Sequence, residues 1–221
     1  QTLEFFGFDS SMTVVELTPG GGWYTEVLAP ALKGTGKLYG AHYPDTGEDN
    51  YYSNSRKRLV KKLASDPVYS EVELTNFVPK QSNELAPAGT ADLVLTFRNL
   101  HNWGDEGVAA VFKDAFAALK PGGVLGVVEH RLPKGVESSA MNAGYYSQET
   151  AVKLAEQAGF VLEATSEINA NPKDKASYEK GVWTLPPVLR LKDQDREKYM
   201  AIGESDRMTL KFRKPREFKK S

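Results

Sequence analysis

Apolar positions along the chain fall into two alternating kinds of run. One is short and continuous; in the other, apolar residues return at every third or fourth position. Thr13 to Leu17, Lys37 to Tyr43, Val72 to Phe77, Ala91 to Phe97 and Val124 to Glu129 are of the first kind and read as strands. The last two are continuously apolar, as in parallel strands covered on both faces. The periodic runs lie between them. Tyr24, Val27, Leu28, Ala31 and Leu32 predict a helix from Trp23 to Lys33-Gly34, with Pro30 kinking or shortening it. A basic helix follows over 55–64, with Leu59, Val60 and Leu63 inward.

The clearest pattern is Val108, Val111, Phe112, Ala115, Phe116 and Leu119, which fall on one helical face before Lys120-Pro121-Gly122-Gly123 stops the helix. Ser147 caps another helix, with Ala151, Leu154, Ala155 and Ala158 inward and Gly159 as terminator, before a strand from Phe160 to Ile168. Strand and helix thus alternate with crossover-length connections. The expected fold is α/β: a Rossmann-like, doubly wound, mostly parallel sheet with helices on both faces. One domain over 1–212 is expected, with an irregular excursion at 169–207 before an antiparallel closing strand, Met208 to Phe212, and a basic, mobile tail at 213–221.

Composition narrows the function classes. With 28 basic and 29 acidic residues the formal net charge is −1, so no global basic field draws nucleic acid to the surface. No apolar stretch is long enough for a membrane span. The chain contains no cysteine, which excludes disulfides, thiolate metal sites and cysteine nucleophiles. It begins at Gln1 without an initiator methionine, as after removal of a tag, a leader or an export signal. Oligomeric state is not legible.

In an open parallel sheet, ligands bind at the carboxyl ends of the strands near the point where strand order reverses. The loop after the first strand is Thr18-Pro19-Gly20-Gly21-Gly22, where missing side chains admit a ligand to the backbone and the following helix offers free amides. Glu16, just before it, offers two acceptor oxygens to a cationic or amide-bearing ligand. After the fourth strand comes Phe97-Arg98-Asn99-Leu100-His101-Asn102-Trp103, a cluster of titratable, amide and aromatic groups.

The run VVELTPGGGWYTEVLAP resembles the nucleotide-binding motif of class I S-adenosylmethionine-dependent methyltransferases, and ALKPGGVLGVVEH and LAEQAGFVLEAT resemble later segments of that superfamily in the same order. Three further stretches, LTFRNLHNW, VWTLPPV and IGESDRMTLKF, are similar to a bacterial group of predicted methyltransferases, whose members often carry a cleavable export signal. The resemblance implies S-adenosyl-L-methionine as cofactor, held by Glu16, Thr18, Pro19, Gly20, Gly21, Gly22 and Tyr24. It puts His42 where a carboxylate usually meets the ribose hydroxyls, and Asn76 and Phe77 where adenine is contacted. Thr18 stands where the superfamily has glycine.

The resemblance also turns the loop after the fourth strand toward the transferable methyl. There His101 is the candidate base, Asn99 an orienting amide and Arg98 an anchor for an anionic group. Trp103, Glu129, His130, Tyr145 and Tyr146 are the candidate acceptor contacts. His101, Glu129 and His130 lack a recognisable ligand spacing, so no metal is expected.

Glu204-Ser205-Asp206-Arg207 reads as a turn with a local ion pair rather than a lid contact. The expected activity is methyl transfer to oxygen or nitrogen of a small molecule, in the cytoplasm if cofactor-dependent and otherwise in the periplasm after export. The alternatives are a methyltransferase-like binding domain without turnover and an NAD-dependent oxidoreductase. The second of these expects glycine or alanine where Thr25 stands.

Overall fold

A computed structural model describes residues 1–216. The strands are β1 (Thr13–Leu17), β2 (Lys37–His42), β3 (Val72–Asn76), β4 (Ala91–Phe97), β5 (Leu119–Leu132), β6 (Tyr146–Ser147), β7 (Val161–Ser166) and β8 (Arg207–Arg213). The helices are α1 (Thr2–Phe6), α2 (Thr25–Leu32), α3 (Tyr51–Leu63), α4 (Leu100–Ala118), α5 (Gln148–Gln157) and α6 (Arg196–Ile202). The sheet order is β3-β2-β1-β4-β5-β8-β7, with β6 paired to β5 off this path. The pairs among β1 to β5 are parallel, and only β8 runs against its neighbours.

Alternation along the strands builds a layer on each face of the sheet. Val15 and Val94 point to the side that holds Val111, Phe112 and Ala115 of α4 and Ala151 and Ala155 of α5. Val14, Leu93 and Leu95 point the other way, onto Leu28 and Leu32 of α2 and Phe6 of α1. Each such fully buried branched side chain contributes about 1.5–3 kcal/mol, and their period of two pins the register, since a one-residue slip would swap the layers. Gly126 of β5 makes room for α1: a Cβ there would lie 2.8 Å from Leu95 Cδ2 and 2.9 Å from Phe6 Cδ1.

The helices start where side chains cap them. Asn50 accepts the Ser53 N–H at 2.9 Å to open α3, and Ser147 accepts the Thr150 N–H at 3.1 Å to open α5. Three expectations need correction. Val60 is 48% exposed on α3, so only Leu59 is fully inward there. Residues 120–123 do not end the element before β5 but begin that strand, whose backbone turns through Gly122 at φ +83°. The tail is built in as far as Lys214, whose ammonium donates to the Phe116 and Leu119 carbonyls at 2.6 and 2.8 Å; positions 217–221 of the expected tail lie outside the described residues.

The excursion between β7 and β8 is a cap with an apolar cluster of its own. Ala176, Tyr178, Val182, Leu185 and Tyr199 pack together with Leu132 and Tyr145 from below. At its base the Arg131 guanidinium donates to both Glu167, where the excursion leaves the sheet, and Asp206, where it returns. Asp174 accepts the hydroxyls of Tyr145 and Tyr178 and the backbone N–H groups of Ala176 and Asp206.

Candidate active site

The order of the strands reverses between β1 and β4, and a cavity of about 850 Å³ opens there at their carboxyl ends, roofed by the cap. Its floor is the loop after β1. Thr18 takes φ +46°, Gly20 +60° and Gly22 +88°, and the Thr18 N–H donates to the Ala41 carbonyl at 2.7 Å. For threonine this conformation costs about 1–2 kcal/mol, because Cβ crowds the following carbonyl. The glycines divide by role. A Cβ on Gly20 or Gly21 would meet nothing within 4 Å, whereas one on Gly22 would lie 2.9 Å from Leu59 Cδ1 and 3.1 Å from Lys62 Cδ. Thr18, Pro19, Gly20 and Gly21 therefore line the cavity, and Gly22 is where α3 packs onto the loop.

Glu16 lies beneath this floor rather than on it. It is buried, accepts the Thr25 hydroxyl at 2.6 Å, and desolvation lifts its carboxyl to about 7 against the pull of that bond and of Lys62. Tyr24 is also off the cavity, its ring stacked on Phe97 at 3.4 Å.

His42 does reach the cavity, with Nδ1 3.0 Å from the Tyr43 carbonyl and Nε2 3.2 Å from the Gly20 carbonyl. A neutral imidazole has one N–H and bonds only one of them at a time. Burial is the main influence lowering its basicity, so it serves as a neutral strut between the glycine loop and β2. Of the two expected adenine contacts, Asn76 is exposed away from the cavity, and Phe77 is fully buried against Tyr43 and Trp103 with ring centroids at 5.6 and 5.3 Å.

Two buried hydroxyls, Thr18 Oγ1 and Ser55 Oγ, have no hydrogen-bond partner among the described residues, and both residues line the cavity. A buried polar atom left unpaired costs about 1–3 kcal/mol, so two of them on residues that line one cavity are groups a polar ligand would satisfy. Ser55 carries no motif, and only the packing of α3 brings it here.

The opposite wall comes from the loop after β4 and the end of β5. Gly104, with φ 65° and ψ 170°, breaks α4 and leaves Leu100 to Trp103 as a separate helical turn. Asn99 Nδ2 donates to the Leu17 carbonyl at 3.3 Å and to Thr96 Oγ1 at 3.1 Å, tying β1 to β4 at the cavity edge. His101 Nδ1 lies 3.0 Å from Glu129 Oε1. Glu129 is fully buried and also accepts the backbone N–H groups of His101 at 3.3 Å and His130 at 2.7 Å. A carboxylate there accepts, so the His101 proton sits on Nδ1 and Nε2 is left as a bare base.

Ser205 Oγ accepts Arg207 Nε at 3.2 Å and lies 2.5 Å from His130 Nδ1. Burial first, then the neighbouring His101 and the charges of Arg207 and Arg98, hold His130 well below its ordinary basicity.

His101, Glu129 and His130 each offer a ligand atom within 4.8 Å of the others, a juxtaposition that sequence spacing did not reveal. Both histidine Nδ1 atoms and the Glu129 oxygens are engaged in the bonds above, and the nearby charges of Arg98 and Arg207 oppose a cation. Trp103 is buried with one edge on the cavity. Tyr145 and Tyr146 are not on it: their hydroxyls donate to Asp174 and Asp105. The 204–207 segment is both things that sequence opposed. Glu204 and Arg207 make the local pair at 2.5 Å, while Ser205 and Arg207 face the cavity with Trp183 and Arg190 of the cap.

No family model and no curated protein matches the chain. Solved structures do. A SAM-dependent methyltransferase from Aquifex aeolicus superposes over 96% of this chain and 87% of its own at 15% identity and TM-score 0.63. The chain has the class I methyltransferase fold. A second SAM-dependent methyltransferase, from Methanosarcina mazei, covers 98% of this chain and 99% of its own at 12% identity and TM-score 0.62. The [4+2]-cyclase SpnF reaches TM-score 0.67 at 14% identity over 98% of this chain and 79% of its own. The class I methyltransferase fold thus fixes where the ligand cavity lies, and the chemistry must be argued from the residues in it.

Proposed function

We propose that the chain binds S-adenosyl-L-methionine and directs its methyl group to an oxygen or nitrogen of a small-molecule acceptor. The observation that carries this is the pair of unsatisfied hydroxyls, of Thr18 and Ser55, on residues that line the same cavity as His101. When bound, the cofactor supplies an electrophilic methyl on a sulfonium. Thr18, Pro19, Gly20 and Gly21 would hold its amino-acid end through backbone approach, and His42 and Ser55 would meet its hydroxyl-bearing part.

Displacement at a methyl needs an aligned nucleophile, little water and, for a hydroxyl or ammonium acceptor, removal of a proton. His101 Nε2 accepts that proton, and Glu129 fixes the tautomer and shares the charge that forms on the ring. The cap, through Val182, Trp183 and Leu185, supplies an apolar wall that limits the water beside the reacting atoms. A cavity of about 850 Å³ suits a small acceptor.

The second reading is a domain that binds the cofactor without turnover. His42 favours it, because a neutral imidazole placed between two backbone carbonyls stands in for the carboxylate that would grip the ribose. Isothermal titration with S-adenosylmethionine and with S-adenosylhomocysteine decides the common part. Micromolar binding of both supports the proposal, and no binding by folded protein overturns both readings. His101→Ala separates the two: with an acceptor found by screening, turnover falls at least about a hundredfold while cofactor affinity stays within about threefold. A wild-type rate removes His101 from the mechanism.

A further inference from the structure

The cavity is charged in one sense only. Among the described residues its lining includes Lys62, Arg98, Arg190 and Arg207 and no aspartate or glutamate, in a chain where acidic residues outnumber basic ones. Lys62 is answered by Glu26 and Arg207 by Glu204 at 2.5 Å. Arg190 lies over the Trp183 ring at 4.9 Å and has no ion pair among the described residues. Arg98 is more telling: half-buried, held at φ +62°, with its N–H on the Val128 carbonyl at 2.7 Å, its guanidinium has neither a hydrogen bond nor an ion pair among the described residues. Glu204 and Glu129 lie near enough for their charge to favour its protonated form, but neither hydrogen-bonds or ion-pairs with it, and the Glu129 oxygens instead accept N–H groups of His101 and His130.

A guanidinium taken partly out of water at a strained backbone position, with no carboxylate in direct contact, is kept where a ligand supplies that contact. The cofactor proposed above cannot do so in sum, because its sulfonium and ammonium outnumber its single carboxylate. We infer that the acceptor is an acid, carrying a carboxylate or phosphate that Arg98 and Arg207 grip beside the bare Nε2 of His101. The opposing repulsion is present in the protein alone: Arg207 adds to burial in weakening the protonation of Arg98, and both arginines act on His130 in the same sense. An oxyanion between them relieves all of these at once. The inference deepens the proposed function and rests on it for the identity of the second ligand, but not for the anion site itself.

The test uses three probes of one shape: 4-hydroxybenzoate, phenyl phosphate and the neutral 4-hydroxybenzamide. Each is titrated up to 10 mM, roughly the weak-binding limit for a fragment, by calorimetry and by quenching of tryptophan fluorescence. Protein without cofactor and protein saturated with S-adenosylhomocysteine are both used. At least one acid is expected to bind about tenfold or more tightly than the amide, and whichever acid wins tells carboxylate from phosphate. Arg98→Met and Arg207→Met should each abolish that preference while S-adenosylhomocysteine affinity changes less than about threefold.

Equal binding of acid and amide, or binding of none of the probes, overturns the inference. Loss of S-adenosylhomocysteine affinity in Arg98→Met overturns it too, by assigning that arginine to the cofactor carboxylate. The wild-type comparison stands even if a variant fails to fold. If cofactor binding is absent while the acid preference persists on cofactor-free protein, the proposed function fails and the anion site survives.

Discussion

Two neighbouring glycines should fail in different ways. Gly22→Ala puts a methyl 2.9 Å from Leu59 Cδ1 and 3.1 Å from Lys62 Cδ at φ +88°, a backbone conformation that resists any side chain. Strain there costs about 1–2 kcal/mol and overpacking about 1–3 kcal/mol. The sum, about 2–5 kcal/mol, lowers Tm by roughly 4–20 °C in a chain of this size. Gly21→Leu has an ordinary φ and meets no atom within 4 Å at Cβ, so its melting temperature should stay within roughly 2 °C. Its side chain enters the space of the proposed cofactor and should weaken S-adenosylhomocysteine at least about tenfold, or about 1.4 kcal/mol. Differential scanning fluorimetry and calorimetry on the same preparations measure both. A Gly21→Leu protein that binds as the wild type does would refute the placement of the cofactor on this loop; a Gly22→Ala protein that melts as the wild type does would refute the packing argument.

Other outcomes follow from single groups. Glu16, lifted to about 7 by burial, favours the protonated native state, so its contribution is full below about pH 4.5 and is lost as pH rises through 7. Glu16→Gln, which still accepts from Thr25, should therefore flatten the decline in Tm between pH 5 and 8, and an unchanged profile argues against the shift. Asp174→Asn turns one acceptor oxygen into a donor against groups that only donate there, costing about 1–3 kcal/mol. Limited proteolysis should then cut within the cap first, while wild-type resistance of that segment would show that the network does not hold it. Glu129→Gln releases the His101 tautomer, so any turnover found should fall about a hundredfold or more with little change in cofactor affinity.

The fold was legible because its signals are local and agree with one another. Val14 and Val15, or Leu93 and Val94, sort to opposite layers by pleat alone, and the single apolar face from Val108 to Leu119 admits one docking. The glycine loop and the 98–103 cluster were legible as positions at strand ends. What sequence hid is what depends on packing between distant segments. Gly22 looks like its neighbours until Leu59 is placed beside it. Phe77 and Tyr145 look like binding aromatics until one is buried against Trp103 and the other is bonded to Asp174. Ser55 and Ser205 look like nothing at all, since a hydroxyl gains meaning only from the atoms opposite it. His101 and Glu129 are 28 positions apart, and their contact follows from β4 and β5 being neighbours.

Arg131 holds the beginning and the end of the cap with one planar group. The sheet on one side of that clasp and the 40 residues or so on the other are therefore nearly independent in length, since lengthening an already closed loop costs only about 0.6 kcal/mol per doubling. Such a clasp makes the cap an exchangeable cassette. Its contents could be rewritten, by evolution or by design, to present a different roof to the same floor, so long as an acid remains at each end of the insert.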